Sequence, residues 1–347
     1  MHLTFDPTLR ETLRHRTNAY DPVLRAFEQR TGLGWHQPTP PHLAQGTLSV
    51  VMPARNMAYS LPAVLDAIST QQTAATFEVI VVDDGSTDGT GDLAAHHPLR
   101  PAVIRMPHRR GAATARNIGM ARAGGQTIVF ADADMVLPPH ALADIAARAC
   151  DRMILVGFRH NVAYRADDAG QALLPAGPAD LQADHRVRWH APAGQRLIYS
   201  GITLDKPVDG RHLDATDGLR QLGFARAYYD WDLPRMVVTA LMAAPRDAVQ
   251  EAGGFDPRFG EIGWGSEDTY LGAALIGLGL MVAPLRQLVG YHINPPDEAG
   301  SWAAKLATWP QTVAFYRHLL EQPPPHHKAR DFQRQAAVIL RECEVTR

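Results

Sequence analysis

Two cysteines in 347 residues, Cys150 and Cys343, are too few for a disulfide framework, so the fold must rest on its core; such usage fits a reducing compartment. Aromatic residues make up only 7% of the chain. No long hydrophobic run is present either. Leu271–Leu285 comes nearest, but Gly272, Gly277, Gly279 and Pro284 interrupt it and it falls short of the roughly 20 residues a spanning helix needs. Met1–Arg16 lacks the basic stretch, apolar core and small-residue cleavage site of a secretory signal. An excess of one charge is missing too: 34 Lys and Arg face 36 Asp and Glu, a formal charge of −2, so no global field draws the chain to nucleic acid or an anionic membrane. The expectation is a soluble, cytoplasmic protein without a transmembrane segment or nucleic-acid partner, with peripheral membrane contact left open.

The length is ample for a large core, and the periodicity says what kind. Residues 1–46 read as a polar, partly helical extension closed by the prolines of Gln37–Pro41. Short apolar runs then alternate with amphipathic stretches. Leu48–Met52, Phe77–Val82, Ala102–Arg105, Thr127–Ala131 and Met153–Val156 have strand character, while Leu61–Gln72, Asp88–His96, Ala112–Ala123 and Pro138–Ala149 have helix character. That alternation predicts an α/β fold with a mostly parallel, Rossmann-like sheet covered by helices on both faces. Residues 157–234 are long and aperiodic, which points to a functional segment. A strand at Met236–Ala243 and a short helix at Arg246–Ala252 follow, and residues 301–347 read as two helices broken by Pro323–Pro325.

Chemistry concentrates where strands end. Thr127–Ala131 runs into Asp132-Ala133-Asp134, two carboxylates that extended backbone points to one side, toward a shared partner such as a hard divalent cation. The same spacing also forms turns and helix caps. Asp83-Asp84-Gly85-Ser86 ends the second strand, at the crevice where open α/β sheets bind ligands, although an Asx turn would use the same residues. Gly111–Gly119 opens a helix with small residues and places Arg116 on it, where a guanidinium could meet phosphate or a base, or simply lie on the surface. No Gly-x-Gly-x-x-Gly follows the first strand; Pro53-Ala54-Arg55-Asn56 stands there instead.

In order and spacing these segments resemble the nucleotide-sugar half of family-2 glycosyltransferases with the GT-A fold. The resemblance implies that Asp83, and less directly Asp84, meet the nucleoside, that Pro53 and Arg55 lie along it, that Arg116 reaches base or phosphate, and that Asp132 and Asp134 serve ribose and metal. Further on, Gly253-Gly254-Phe255-Asp256 and Gly263-Trp264-Gly265-Ser266-Glu267-Asp268 resemble the acceptor-side motif of β-1,4-galactosyltransferases and chondroitin-type polymerases. This second resemblance implies Asp268 as the base, Glu267 as an acceptor-positioning carboxylate, Trp264 as an apolar wall and His292 as a metal ligand. Ser266 departs from the pattern, and it could equally cap a helix that begins with two acids.

The implied activity is metal-dependent, inverting transfer of a hexose from a nucleoside diphosphate sugar, a UDP-sugar first, to a saccharide, peptide or small-molecule acceptor, with Mn²⁺ or Mg²⁺ as cofactor. The implied organisation is an N-terminal extension (1–46), a GT-A domain (47–300, with donor half 47–150 and acceptor half 151–300) and a C-terminal helical segment (301–347). A homodimer through the terminal segments is compatible with it. Two other readings stay open: a sugar-nucleotide-binding scaffold without turnover, and a sugar-nucleotide pyrophosphorylase, which would need a Gly-rich basic loop where Pro53–Asn56 stands. Tyr228-Tyr229-Asp230-Trp231-Asp232 pairs aromatics with carboxylates in a way that suits a sugar ring or a packed core.

Overall fold

The computed structural model describes residues 6–168, 170–188 and 233–346. Two helices, α1 (Leu9–Arg14) and α2 (Asp21–Thr31), precede the first strand. β1 (Thr47–Ala54), β2 (Thr76–Asp83), β3 (Ala102–Arg105) and β4 (Thr127–Ala131) then form a parallel block in the order β3-β2-β1-β4. Helices α3 (Leu61–Ser69), α4 (Thr90–His96) and α5 (Ala112–Arg122) connect them. Both faces of this block are buried. Val51, Ile80, Val82, Ile128 and Phe130 join one apolar cluster, while Val50, Met52, Val79, Val81 and Val129 join the other, as alternating side chains of a doubly covered sheet must. The packing is close: a Cβ on Gly119 of α5 would lie 2.5 Å from Val51 Cγ1, so glycine there brings the helix down onto β1.

Beyond β4 the sheet changes direction. β5 (Met135–Val136), α6 (Ala141–Arg148), β6 (Met153–Val162) and the short α7 (His185–Arg188) come next, then β7 (Leu241–Pro245), α8 (Arg246–Glu251), α9 (Arg258–Ile262), α10 (Glu267–Gly277) and β8 (Met281–Ile293). β7 is antiparallel to both β4 and β6, β8 is parallel to β6, and β5 is antiparallel to β8. α11 (Glu298–Leu320), α12 (Ala329–Leu340) and β9 (Glu344–Thr346) finish the chain, β9 pairing with β3 at the far edge. The predicted strand at Met236–Ala243 is displaced: a 3-10 turn occupies Leu233–Met236 and the strand starts at Leu241, opposite Ala131. Met236 and Val237 are apolar because they are buried in the core beside α10.

Residues 1–46, read from sequence as an extension, are packed into the domain from Leu9 onward. Leu9, Leu13, Tyr20 and Trp35 are fully buried. The amide of Asn18 both donates to the Val282 carbonyl at 2.9 Å and accepts from the Val282 N–H at 2.7 Å, as a neighbouring strand would. Trp35 Nε1 donates to the Pro284 carbonyl. Residues 282 and 284 turn the same way in β8, so this segment covers the strand edge that β5 leaves open. Arg148 locks it from behind, donating to the carbonyls of Trp35 and Gln37 and to Thr39 Oγ1. Trp35→Ala is therefore expected to destabilise the whole domain by about 3–5 kcal/mol, the range for a buried aromatic. A urea titration showing a loss under ~1 kcal/mol would mean that the segment is peripheral.

Candidate functional site

The strand ends put the acidic motifs on one crest. Ala54 and Asp83 are register partners at the ends of β1 and β2, and Asp132 directly follows β4. Asp83 accepts from the Ser86 N–H at 2.9 Å, the Asx turn that closes this loop. Asp84, expected beside the nucleoside, accepts through its two oxygens from the N–H groups of Arg110 and Gly111, anchoring the approach to α5. Burial pushes its pKa up, and those N–H groups offset part of the shift. Arg55 donates to the carbonyls of Asp84 and Gly85, so it braces the same loop, with Pro53 two residues earlier on β1.

Arg116 is buried rather than on the surface, and it spans the two halves of the chain. Nη2 donates to Asp132 Oδ1 at 2.9 Å, Nη1 lies 3.5 Å from Glu267 Oε1, and the guanidinium sits 5.4 Å from the centre of the Phe255 ring. Asn117 fixes that ring by donating to the Phe255 carbonyl and accepting from its N–H. Sequence reasoning gave Arg116 to base or phosphate; in the structure it joins carboxylates from two elements distant in sequence.

Asp134 and His292 meet because β5 and β8 pair Met135 with His292. His292 Nε2 is 3.2 Å from Asp134 Oδ1, and ligand atoms of Asp132, Asp134 and His292 lie within 4.8 Å of one another. Asp134 Oδ1 and His292 Nδ1 are buried without a hydrogen-bond partner. Two carboxylates and an imidazole are a donor set for Mn²⁺, with Mg²⁺ a harder alternative. Burial raises the Asp134 pKa, an effect that His292 opposes and Asp132 reinforces. At Asp132 burial acts upward as well, but Arg116 and then His292 outweigh it and hold the carboxyl below its ordinary range.

Glu267 and Asp268 open α10. Ser266 is no side-chain cap: at φ 71° and ψ −9° it is left-handed, a conformation that strains a residue with a Cβ and turns the chain sharply into the helix. Burial raises both carboxyl pKa values; Asp268 adds to the effect on Glu267, while Arg116 opposes it at each. The preceding loop is bolted to α11. Trp264 N donates to Thr308 Oγ1 and Thr312 Oγ1 donates to the Trp264 carbonyl, while a Cβ on Gly263 would collide with Thr308 at 2.2 Å. Trp264 itself stays 39% exposed.

Sequence reasoning missed Tyr59, Arg159, Arg235 and Lys305, whose phenol or charges act on these acids. They lie in segments without a motif, so folding alone reveals them. Tyr228–Asp232, and residues 189–232 of the long aperiodic segment, lie outside the described residues.

The model of Glycosyl transferase family 2 matches residues 49–192. Residues 49–192 thus resemble that family. An uncharacterized glycosyltransferase of Bacillus subtilis, YfnE, is 27% identical over 73% of this chain and 66% of its own length. The dolichyl-phosphate beta-glucosyltransferase of Drosophila melanogaster is 35% identical over 35% of this chain and 42% of that protein. This chain thus spans between about two fifths and two thirds of those curated relatives. Among solved structures, GalNAc-T7 with UDP, GalNAc and Mn²⁺ superposes with a TM-score of 0.51 at 15% identity, covering 93% of this chain and 64% of that one. The likeness is one of fold, GT-A. No helix among the described residues is long and apolar enough to cross a membrane.

Removing the Asp268 charge gives a test of the site's electrostatics. A carboxyl whose folded pKa lies above its ordinary 3.8 favours folding fully at pH below that value and loses this contribution as pH rises through the folded pKa. Asp268→Asn should therefore melt at a higher temperature than wild type at pH 8 without metal, with the gain shrinking toward pH 4. Equal melting temperatures at both pH values would contradict the buried-acid geometry.

Proposed function

We propose that the protein transfers a sugar from a nucleoside diphosphate sugar, a UDP-sugar first, to an acceptor nucleophile by single displacement with inversion. The observation that carries this reading is the Arg116 bridge, which holds the strand-end acid Asp132 and the helix acid Glu267 within one guanidinium's reach. Donor-side and acceptor-side carboxylates thereby face one cleft.

Each part then has a task. Asp83, Pro53 and the loop braced by Asp84 and Arg55 form the nucleoside floor. Asp132, Asp134 and His292 would hold Mn²⁺ or Mg²⁺, which supplies charge neutralisation for the departing diphosphate. Asp268 has Oδ1 fixed by the Thr269 N–H at 2.8 Å, and its other oxygen receives the proton of the attacking hydroxyl. An elevated pKa suits that role, because a stronger base takes a proton more readily. Glu267, held by Arg116, orients the acceptor. One base opposite the leaving group is all that a single displacement requires, hence inversion.

The experiment is release of UDP from a panel of UDP-sugars with and without Mn²⁺, and with candidate acceptors. Metal-dependent turnover is expected, and Asp268→Asn should lower kcat by about 10²–10⁴-fold, the usual weight of general-base catalysis. Binding of UDP-sugars without turnover under any condition would favour a nucleotide-sugar-binding scaffold instead. Replacing His292 by Ala should weaken Mn²⁺ binding by about 10–100-fold or more, read by titration calorimetry. Unchanged Mn²⁺ affinity would remove His292 from the ligand set.

A further inference from the structure

Trp302 and Lys305, both on α11, complete a surface that Trp264 begins. The Trp264 and Trp302 rings meet edge to face, 5.8 Å apart at 82°. Both remain about two-fifths exposed, at 39% and 40%. The Lys305 ammonium lies 5.1 Å from one ring centre and 5.3 Å from the other. Keeping two indoles partly in water forgoes the stabilisation that burial would give. The Trp264 backbone is nonetheless held, by hydrogen bonds to Thr308 and Thr312 of the same helix. Paired, exposed aromatics, one of them three and four residues before the two acids of α10, have the form of a binding surface.

Its position selects the ligand. Trp264 precedes the acids Glu267 and Asp268 by three and four residues, so whatever stacks on it lies beside the base. A pyranose suits such a platform, its C–H face on indole and its hydroxyls toward carboxylates. Lys305 adds a charge requirement. Arg116 is neutralised by Asp132 and Glu267, whereas Lys305 forms no ion pair with a carboxylate among the described residues; its ammonium lies against the two ring faces and its charge also acts on Asp134. An ammonium set on an aromatic pair keeps its charge available to an incoming anion.

We propose that Trp264, Trp302 and Lys305 form the acceptor subsite, and that the acceptor is a saccharide bearing an anionic group, a carboxylate or a phosphate, on the ring that stacks there. This rests on the transferase reading and names its acceptor class. Specificity for the anion then comes from Lys305, and ring affinity from the two tryptophans. The C-terminal helices thereby belong to the site.

Titration calorimetry with UDP and Mn²⁺ present tests it, using three probes: an oligosaccharide ending in a hexuronate, the same oligosaccharide with its carboxyl group reduced, and a hexose phosphate. Wild type is expected to bind at least one anionic probe about tenfold more tightly than the neutral one, and which one identifies the anion. Lys305→Met should bring that ratio to about one, Lys305→Arg should preserve it, and Trp302→Ala should weaken the preferred probe about tenfold. A wild type that fails to distinguish the probes or binds none of them, or a ratio that survives Lys305→Met, overturns the proposal. Metal-dependent UDP release by the wild type, measured in parallel, separates the outcomes. If it persists, only the acceptor assignment falls; if it is missing, the transferase reading falls with it.

Discussion

The cleft depends on a buried guanidinium. Arg116 is almost wholly removed from water, and that cost is met because Asp132, Glu267 and the Phe255 ring surround it. Losing either carboxylate would leave the guanidinium less compensated, so the two halves of the chain are held to one geometry. The residues that place Arg116 are equally constrained. Gly119 sets α5 close on β1, and Asn117, the residue after Arg116 along the same helix, clamps the backbone of Phe255 with two hydrogen bonds. One helix therefore fixes both walls.

A second constraint is strand register. His292 reaches Asp134 through a two-residue antiparallel pairing, Met135 with His292 and Val136 with Tyr291. A one-residue slip would turn the imidazole to the other face, since side chains alternate along a strand. So short a ladder cannot hold register alone. β6 supports β8 along most of its length, and the N-terminal segment covers the rest of the exposed edge through Asn18 and Trp35. Packing more than 130 residues away in sequence thus bears on where a metal ligand sits.

How much of this was legible follows from what is local. The parallel block, its helices and the acids at strand ends could be read because each is written in a few consecutive residues: an apolar run, then carboxylates. The displaced β7 was misread because Met236 and Val237 are apolar for burial in the core beside α10, and an apolar run does not declare its backbone. Asp84 looked like a ligand because a carboxylate at a strand end can face outward to solvent or inward to N–H groups, and only the path of the Arg110–Gly111 loop decides. Arg116 could be placed on its helix, but its carboxylate partners could not be read, as they lie on elements distant in sequence. The N-terminal segment read as an extension because Asn18 serves as a surrogate strand, a role with no periodic signature.

The acid pair on α10 shows why these pieces belong together. Burial works against charge on Glu267 and Asp268, and Ser266 holds a left-handed turn that a Cβ disfavours, so this loop would be more stable if it relaxed. It cannot relax, because Thr308 and Thr312 tie it to α11 and Gly263 leaves no room for adjustment beside Thr308. α11 in turn is anchored by Tyr316, Leu319 and Leu320 in the core. Strain at the mouth of the cleft is thus sustained by ordinary apolar packing two to three helical turns away, and the same helix that bears the load presents Trp302 and Lys305 to the opening. A helix placed only for stability would gain by burying Trp302, which it leaves exposed at that end.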